Sequence, residues 1–263
     1  MAEGPTVARW ADQLQVLVGE TLVAVQAPQR WHERAQAVVG QQVTQVRSHG
    51  KNLLIHIGTD TVIRCHAMMY GSWQIGEAGM ELAKPEARVR LRLRTARHEA
   101  VFFSGPVVEF LTAEEARTHP KLATLGPDLL APQFDRKEAW RRLQQRPQIT
   151  IAEALLDQTI MAGIGNIWKS EGLYLAGLDP RRKVGEVRRD EVERLWDILI
   201  PLMQESRLTG RITTVPAAER SPGLWRWVYG RTGRACIHCE GVVQMILQGA
   251  GRRRTYFCPA CQH

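Results

Sequence analysis

The sequence has no window approaching the roughly 18 consecutive apolar residues that a membrane span needs. Its first residues, MAEGPTVARW, show neither a basic n-region nor an apolar h-region, so export by a signal peptide is not expected. Long low-complexity tracts, collagen-like repeats and heptads are absent, which excludes fibrous and disordered classes. Cysteine is scarce, five in 263 residues, and four of the five are clustered. A secreted disulfide framework spreads its cysteines more evenly. What is present is the composition of an ordinary globular protein, 44% apolar and 24% charged. At about 150 residues per domain, the length predicts two domains with room for a small third module. The charge is +8, from 35 Lys and Arg against 27 Asp and Glu, which favours a polyanionic partner without proving one.

The clustered cysteines are Cys236, Cys239, Cys258 and Cys261, two CxxC knuckles separated by eighteen residues. This spacing predicts one tetrahedral Zn²⁺ site in a reducing, cytoplasmic compartment. A pair of redox dithiols is the competing reading, but no βαβ pattern surrounds them. Cys65 stands alone in an apolar stretch and reads as a small buried hydrophobe. Between the knuckles, 242–248 and 253–257 flank Gly249-Ala250-Gly251, the pattern of a β-hairpin with a glycine-bearing tip.

Residues 5–18 have helical spacing, with Pro5 in the first turn. From about 21 to 110 the texture changes to short β-like runs at 21–25, 43–46, 53–57, 62–65, 87–95 and 101–103. In the fifth, Ala87, Val89, Leu91 and Leu93 alternate with Arg88, Arg90, Arg92 and Arg94, predicting a half-buried strand with a basic exposed face. That face suits solvent as well as DNA. The run HPKLATLGPDLLAPQFD holds Pro120, Pro127 and Pro132 and reads as a linker. Helical patterns follow at 137–143, 151–158, 167–175 and 190–204, the last with an apolar stripe suited to a core. The predicted fold class is α+β. An N-terminal antiparallel β-sandwich or barrel spans 1–118, a linker 119–135, a helical domain 136–228 and a zinc module 229–263.

The most informative segment is LLDQTIMAGIGNIWKSE, where two helical stretches meet at Ala162-Gly163-Ile164-Gly165-Asn166. Glycines permit a tight turn, Asn166 is placed to cap the second helix, and exposed amides there would suit phosphate. Alone, this is an ordinary helical connection. Together with MAEGP, SHGKNLL, HPKLATLGPDLL and VYGRTGRACIHC…RRTYFCPACQ, in that order along the chain, it resembles the Fpg/Nei family of DNA glycosylases.

The resemblance implies an N-terminal β-sandwich, a helix–two-turn–helix domain and a zinc finger, with DNA bound in the cleft between. It implies a bifunctional enzyme of base excision repair, a glycosylase and AP lyase working as a monomer on damaged duplex DNA. The catalytic group is the N-terminal α-amine left when Met1 is removed, usually that of proline. Here it belongs to Ala2, a primary amine whose ordinary pKa of about 7.7–8.0 leaves a minority unprotonated at neutral pH. An imine from a primary amine must be protonated to act as an electron sink, so a slower lyase is expected. Glu3 matches the general acid/base. Lys51 matches a hairpin lysine that contacts phosphate and assists the chemistry.

Asn166 and Arg253 match the pair gripping phosphates beside the lesion, with Gly163 and Gly165 shaping the turn under Asn166. The zinc, held by four thiolates, is structural. Thr6 stands where relatives often carry Glu, so that role is not transferred. Met68-Met69-Tyr70 aligns with the trio that fills the gap left by the extruded base in endonuclease VIII-like members. Core packing is the other use of those methionines. The segment SGPVVEFLTAEEA lacks the intercalating loop of the purine-specific branch. Both features favour oxidised pyrimidines. The alternatives are an Fpg-type purine glycosylase, a non-catalytic damaged-DNA-binding homologue that has lost its proline, and a zinc-ribbon protein for RNA or protein.

Overall fold

Pro5 sits in the first turn of helix α1 (Gly4–Gln13), where a missing N–H costs no hydrogen bond. The structure, a computed structural model, describes residues 2–263. The helix ends earlier than the periodicity predicted. Leu14–Leu17 winds as a 3₁₀ turn instead, and its three-residue repeat brings Leu14 and Leu17 to the same buried side.

The chain divides into two compact units, Met1–Thr124 and Leu125–His263. The first is a β-sandwich. Its strands are β1 (Ala24–Gln26), β2 (Val43–His49), β3 (Asn52–Ile57), β4 (Thr61–His66), β5 (Ser72–Glu77), β6 (Val89–Arg94), β7 (His98–Phe103) and β8 (Val107–Thr112). Short helices α2 (His32–Ala37) and α3 (Ala113–Thr118) complete it. One sheet runs β1-β6-β7-β5 and the other β2-β3-β4-β8, with every neighbouring pair antiparallel. Leu14, Leu53, Ile55, Ile63, Leu91, Leu93, Phe102 and Phe110 fill the space between them together with α1.

Two strands escaped the sequence reading. Strand β5 buries only Trp73, so its alternation is weak. Strand β8 runs straight into α3 through the Thr112–Glu115 capping box, which hides its end in a helical signal. The arginine-bearing strand also needs correction. Ala87 is exposed in a 3₁₀ turn after Pro85, and the strand begins at Val89. Its basic face is partly neutralised, because Arg92 pairs with Glu86 at 2.8 Å and Glu99 at 3.1 Å.

The second unit contains α4 (Arg136–Gln144), α5 (Ile151–Leu156), α6 (Asn166–Leu175) and α7 (Arg189–Thr209). These are followed by the hairpin of β9 (Gln244–Gln248) and β10 (Arg253–Phe257). Val242, included in the predicted hairpin, lies outside β9 and forms only an isolated bridge to Ala235. Helix α6 is buried from Asn166 to Tyr174 on all sides, so it is the centre of the unit rather than a surface helix.

Candidate active site and nucleic-acid interface

In the first unit, Glu3 is the N-cap of α1 in extended backbone conformation and is 1% exposed. Ala2 precedes it, half-buried against the sandwich core. Ala2, whose α-amine processing at Met1 would expose, thus stands one residue ahead of the buried N-cap Glu3. Lys51 follows Gly50 in the two-residue turn between β2 and β3, with His49 paired to Asn52 across the turn. Gly50 has φ +57°, a conformation the first central position of such a turn demands. Lys51 lines a tight crevice with Val7 and Trp10 of α1 and with Cys65, Ala67 and Trp73. The lysine is thus packed against the helix that begins at Glu3. Burial pushes the Cys65 thiol up, so it is inert packing.

Met68, Met69 and Tyr70 lie on the loop joining β4 to β5. They are 53%, 49% and 75% exposed, which removes core packing as their purpose.

In the second unit, the helical turn differs from its sequence reading in two ways. Gly165, not Asn166, is the N-cap of α6; Asn166 is the first helical residue and is 6% exposed. The turn is buried rather than an open amide cradle, and the Gly163 N–H is occupied by Gln158 Oε1 at 3.1 Å. Gly163 has φ +105°, which only glycine adopts without strain. The Asn166 side chain is oriented by Lys169, whose ammonium donates to its Oδ1 at 2.8 Å. Lys169 also donates to the Arg254 carbonyl at 3.0 Å and to Thr255 Oγ1 at 2.7 Å. Two residues on, the buried Glu171 carboxylate accepts from the backbone N–H groups of Trp227, Val228 and Tyr229 at 2.7–2.9 Å, and from Thr214.

Sequence reasoning missed both Lys169 and Glu171. The signal was available: a charged pair two residues apart inside an otherwise apolar and aromatic helical run.

The hairpin tip is held against α5. Gln248 Nε2 donates to the Pro180 carbonyl at 3.0 Å, and a Cβ on Gly249 would meet Glu153 Oε1 at 3.2 Å. Just past the tip, Arg253 pairs in register with Gln248 and is exposed. Among the described residues, no carboxylate pairs with Arg252, Arg253 or Arg254.

The four cysteine sulfurs lie within 4.8 Å of one another. A tetrahedral Zn²⁺ with bonds of about 2.3 Å would set its sulfurs about 3.8 Å apart. The separations Cys236–Cys261 3.8 Å, Cys239–Cys258 3.5 Å and Cys239–Cys261 3.3 Å fit that ion. Held by these four thiolates, the ion would cross-link the two knuckles under the hairpin and leave no position for water.

Two family models match the chain: the formamidopyrimidine-DNA glycosylase N-terminal domain over residues 1–106, and the formamidopyrimidine-DNA glycosylase H2TH domain over residues 125–216. A probable endonuclease 8 of Streptomyces coelicolor is 37% identical over 229 residues, 86% of this chain and 80% of its own length. Endonuclease 8 of Klebsiella pneumoniae is 32% identical, with all of each chain covered. Among solved structures, Lactococcus lactis Fpg in complex with DNA containing an abasic site superposes with a TM-score of 0.82 at 24% identity, covering all of both chains.

The sandwich, the H2TH turn and the four-cysteine hairpin together define an Fpg-type fold. The chain belongs to the formamidopyrimidine-DNA glycosylase and endonuclease 8 family, on its endonuclease 8 side.

Proposed function

We propose that this chain is a bifunctional DNA glycosylase and AP lyase of base excision repair, with Ala2 as nucleophile and oxidised pyrimidines as the favoured substrates. The observation that carries the catalytic reading is the burial of Glu3, the N-cap residue of α1, next to Ala2 in the chain. A carboxyl at 1% exposure next to the chain's own amine suits proton transfer better than it suits a solvated surface.

The Ala2 lone pair forms a bond to C1′ of the deoxyribose while the glycosidic bond electrons leave with the base, which takes up a proton. Glu3 protonates the ring oxygen as the C1′–O4′ bond breaks, leaving a protonated Schiff base. That iminium acidifies C2′; loss of a C2′ proton and departure of the 3′ phosphate complete β-elimination. A second elimination at the 5′ phosphate is the δ step. Lys51 serves as a phosphate contact beside this chemistry. Asn166 and Arg253 grip phosphates flanking the lesion, Gly163 and Gly165 shape the turn beneath Asn166, and the zinc hairpin fixes Arg253.

The lesion class rests on the exposed Met68-Met69-Tyr70 loop, which supplies three large side chains from one place to fill the vacancy left by the base. Duplexes carrying a single thymine glycol or a single 8-oxoguanine test it. Faster release of thymine glycol is expected; faster release of the purine assigns the chain to the other branch.

A further inference from the structure

We infer that His66 is a positioning residue for base extrusion: its ring fixes the backbone that aims Met68, Met69 and Tyr70. The inference rests on the reading that this trio fills the space vacated by the base.

The trio lies on the crossover from the last residue of β4, in one sheet, to β5 in the other. Its side chains are exposed, so little packing of their own restrains them. Their direction is set by the backbone of residues 67–71. Two features close that loop. The Gly71 N–H donates to the Ala67 carbonyl at 2.8 Å, and a Cβ at Gly71 would come within 2.7 Å of Ala67 Cα. Met68 also adopts φ +50°, a left-handed conformation that a long side chain rarely takes without something to hold it. The holder is His66: the Met68 N–H donates to His66 Nδ1 at 3.1 Å.

This bond requires a lone pair on Nδ1, which a doubly protonated imidazole lacks. The surroundings protect the lone pair. Burial, then the cations Arg64 and Lys51, bring the His66 pKa down to about 4. Arg64 reaches it from β4 and Lys51 from the β2–β3 turn. The carboxylate facing this side from β8, Glu109, is engaged by Arg64 at 2.6 Å and stands 3.4 Å from His119. His66 itself is fixed in register between Asn52 of β3 and Val107 of β8. The ring is therefore a rigid acceptor at the root of the loop.

The test compares wild type, His66→Ala and His66→Asn on two substrates. One is a duplex with a single thymine glycol, which must be extruded. The other is a single strand with a preformed abasic site, which needs no extrusion. Asparagine offers Oδ1 close to the place of Nδ1; alanine offers nothing. For His66→Ala, excision from the duplex is expected to fall about tenfold or more, while cleavage of the single strand stays within about twofold. His66→Asn should recover most of the duplex activity. The inference is overturned if His66→Ala excises normally, if both substrates suffer equally, or if His66→Asn is as poor as His66→Ala. Wild type releasing no thymine glycol while still cleaving the abasic strand would instead overturn the lesion reading.

Discussion

Lys169 donates to Asn166 Oδ1 at 2.8 Å, and the same ammonium spans to Thr255 Oγ1 at 2.7 Å. A single buried cation therefore ties the start of α6 to β10, the strand that begins at Arg253. With the Arg254 carbonyl as third acceptor, three N–H donors meet three oxygens. The Asn166 oxygen is occupied by that cation, so in the proposed function it is the amide NH₂ that would donate to a phosphate oxygen.

Replacing Lys169 by Met keeps the stem and removes the ammonium. Two buried acceptors and one part-buried carbonyl then lose a partner, so a destabilisation of about 3 kcal/mol is expected. Urea unfolding measures it. Duplex affinity should fall too, because Asn166 and the hairpin lose their common anchor. Unchanged affinity with lowered stability would mean that Lys169 serves folding alone.

Cys258 is fully buried under the hairpin, so Cys258→Ser tests the zinc reading from inside the cluster. One zinc per chain is expected in wild type and a large loss in the variant, read by metal analysis. Duplex binding should weaken at least tenfold in parallel, since folding of such a module is paid by its metal. Full binding without zinc would show that the hairpin stands on its docking to α5 and α6.

Arg253 contacts phosphate in the proposed function, and phosphate contacts carry no sequence information. Arg253→Ala should weaken binding to every duplex alike and reduce the slope of log affinity against log salt by about 1. A loss confined to one lesion would contradict that role.

Acid should act through His66. Its pKa is about 4 in the folded chain against 6.5 for an ordinary histidine, so the unfolded chain binds more protons between those values. The stability contributed by the neutral ring is present above pH 6.5 and is lost as pH falls towards 4. The loss is bounded at about 3 kcal/mol. His66→Asn should flatten this part of the melting temperature profile between pH 6.5 and 4.5. Parallel profiles would contradict it.

Much of this molecule was legible in the sequence. Alternation in β6 exposed the sandwich, and two CxxC knuckles exposed the hairpin, because both patterns are local. Asn166 was recognisable by its neighbours, yet its place as first helical residue was not, since Gly165 adopts extended angles and takes the N-cap. Lys169 and His66 were missed for a common reason. Each acts through a partner chosen by tertiary geometry: Thr255 lies 86 residues from Lys169, and the His66 bond depends on Met68 turning left-handed. Residue type alone makes one a surface cation and the other a titrating histidine.

The proposed chemistry turns on the amine of Ala2, and borohydride trapping on an oligonucleotide with one abasic site reads it directly. Protein whose mass shows Met1 removed is reduced, digested and mapped. The expected result is a single oligonucleotide cross-linked per chain, on the α-nitrogen of Ala2. An adduct on Lys51, or no adduct at all from correctly processed protein, would contradict it.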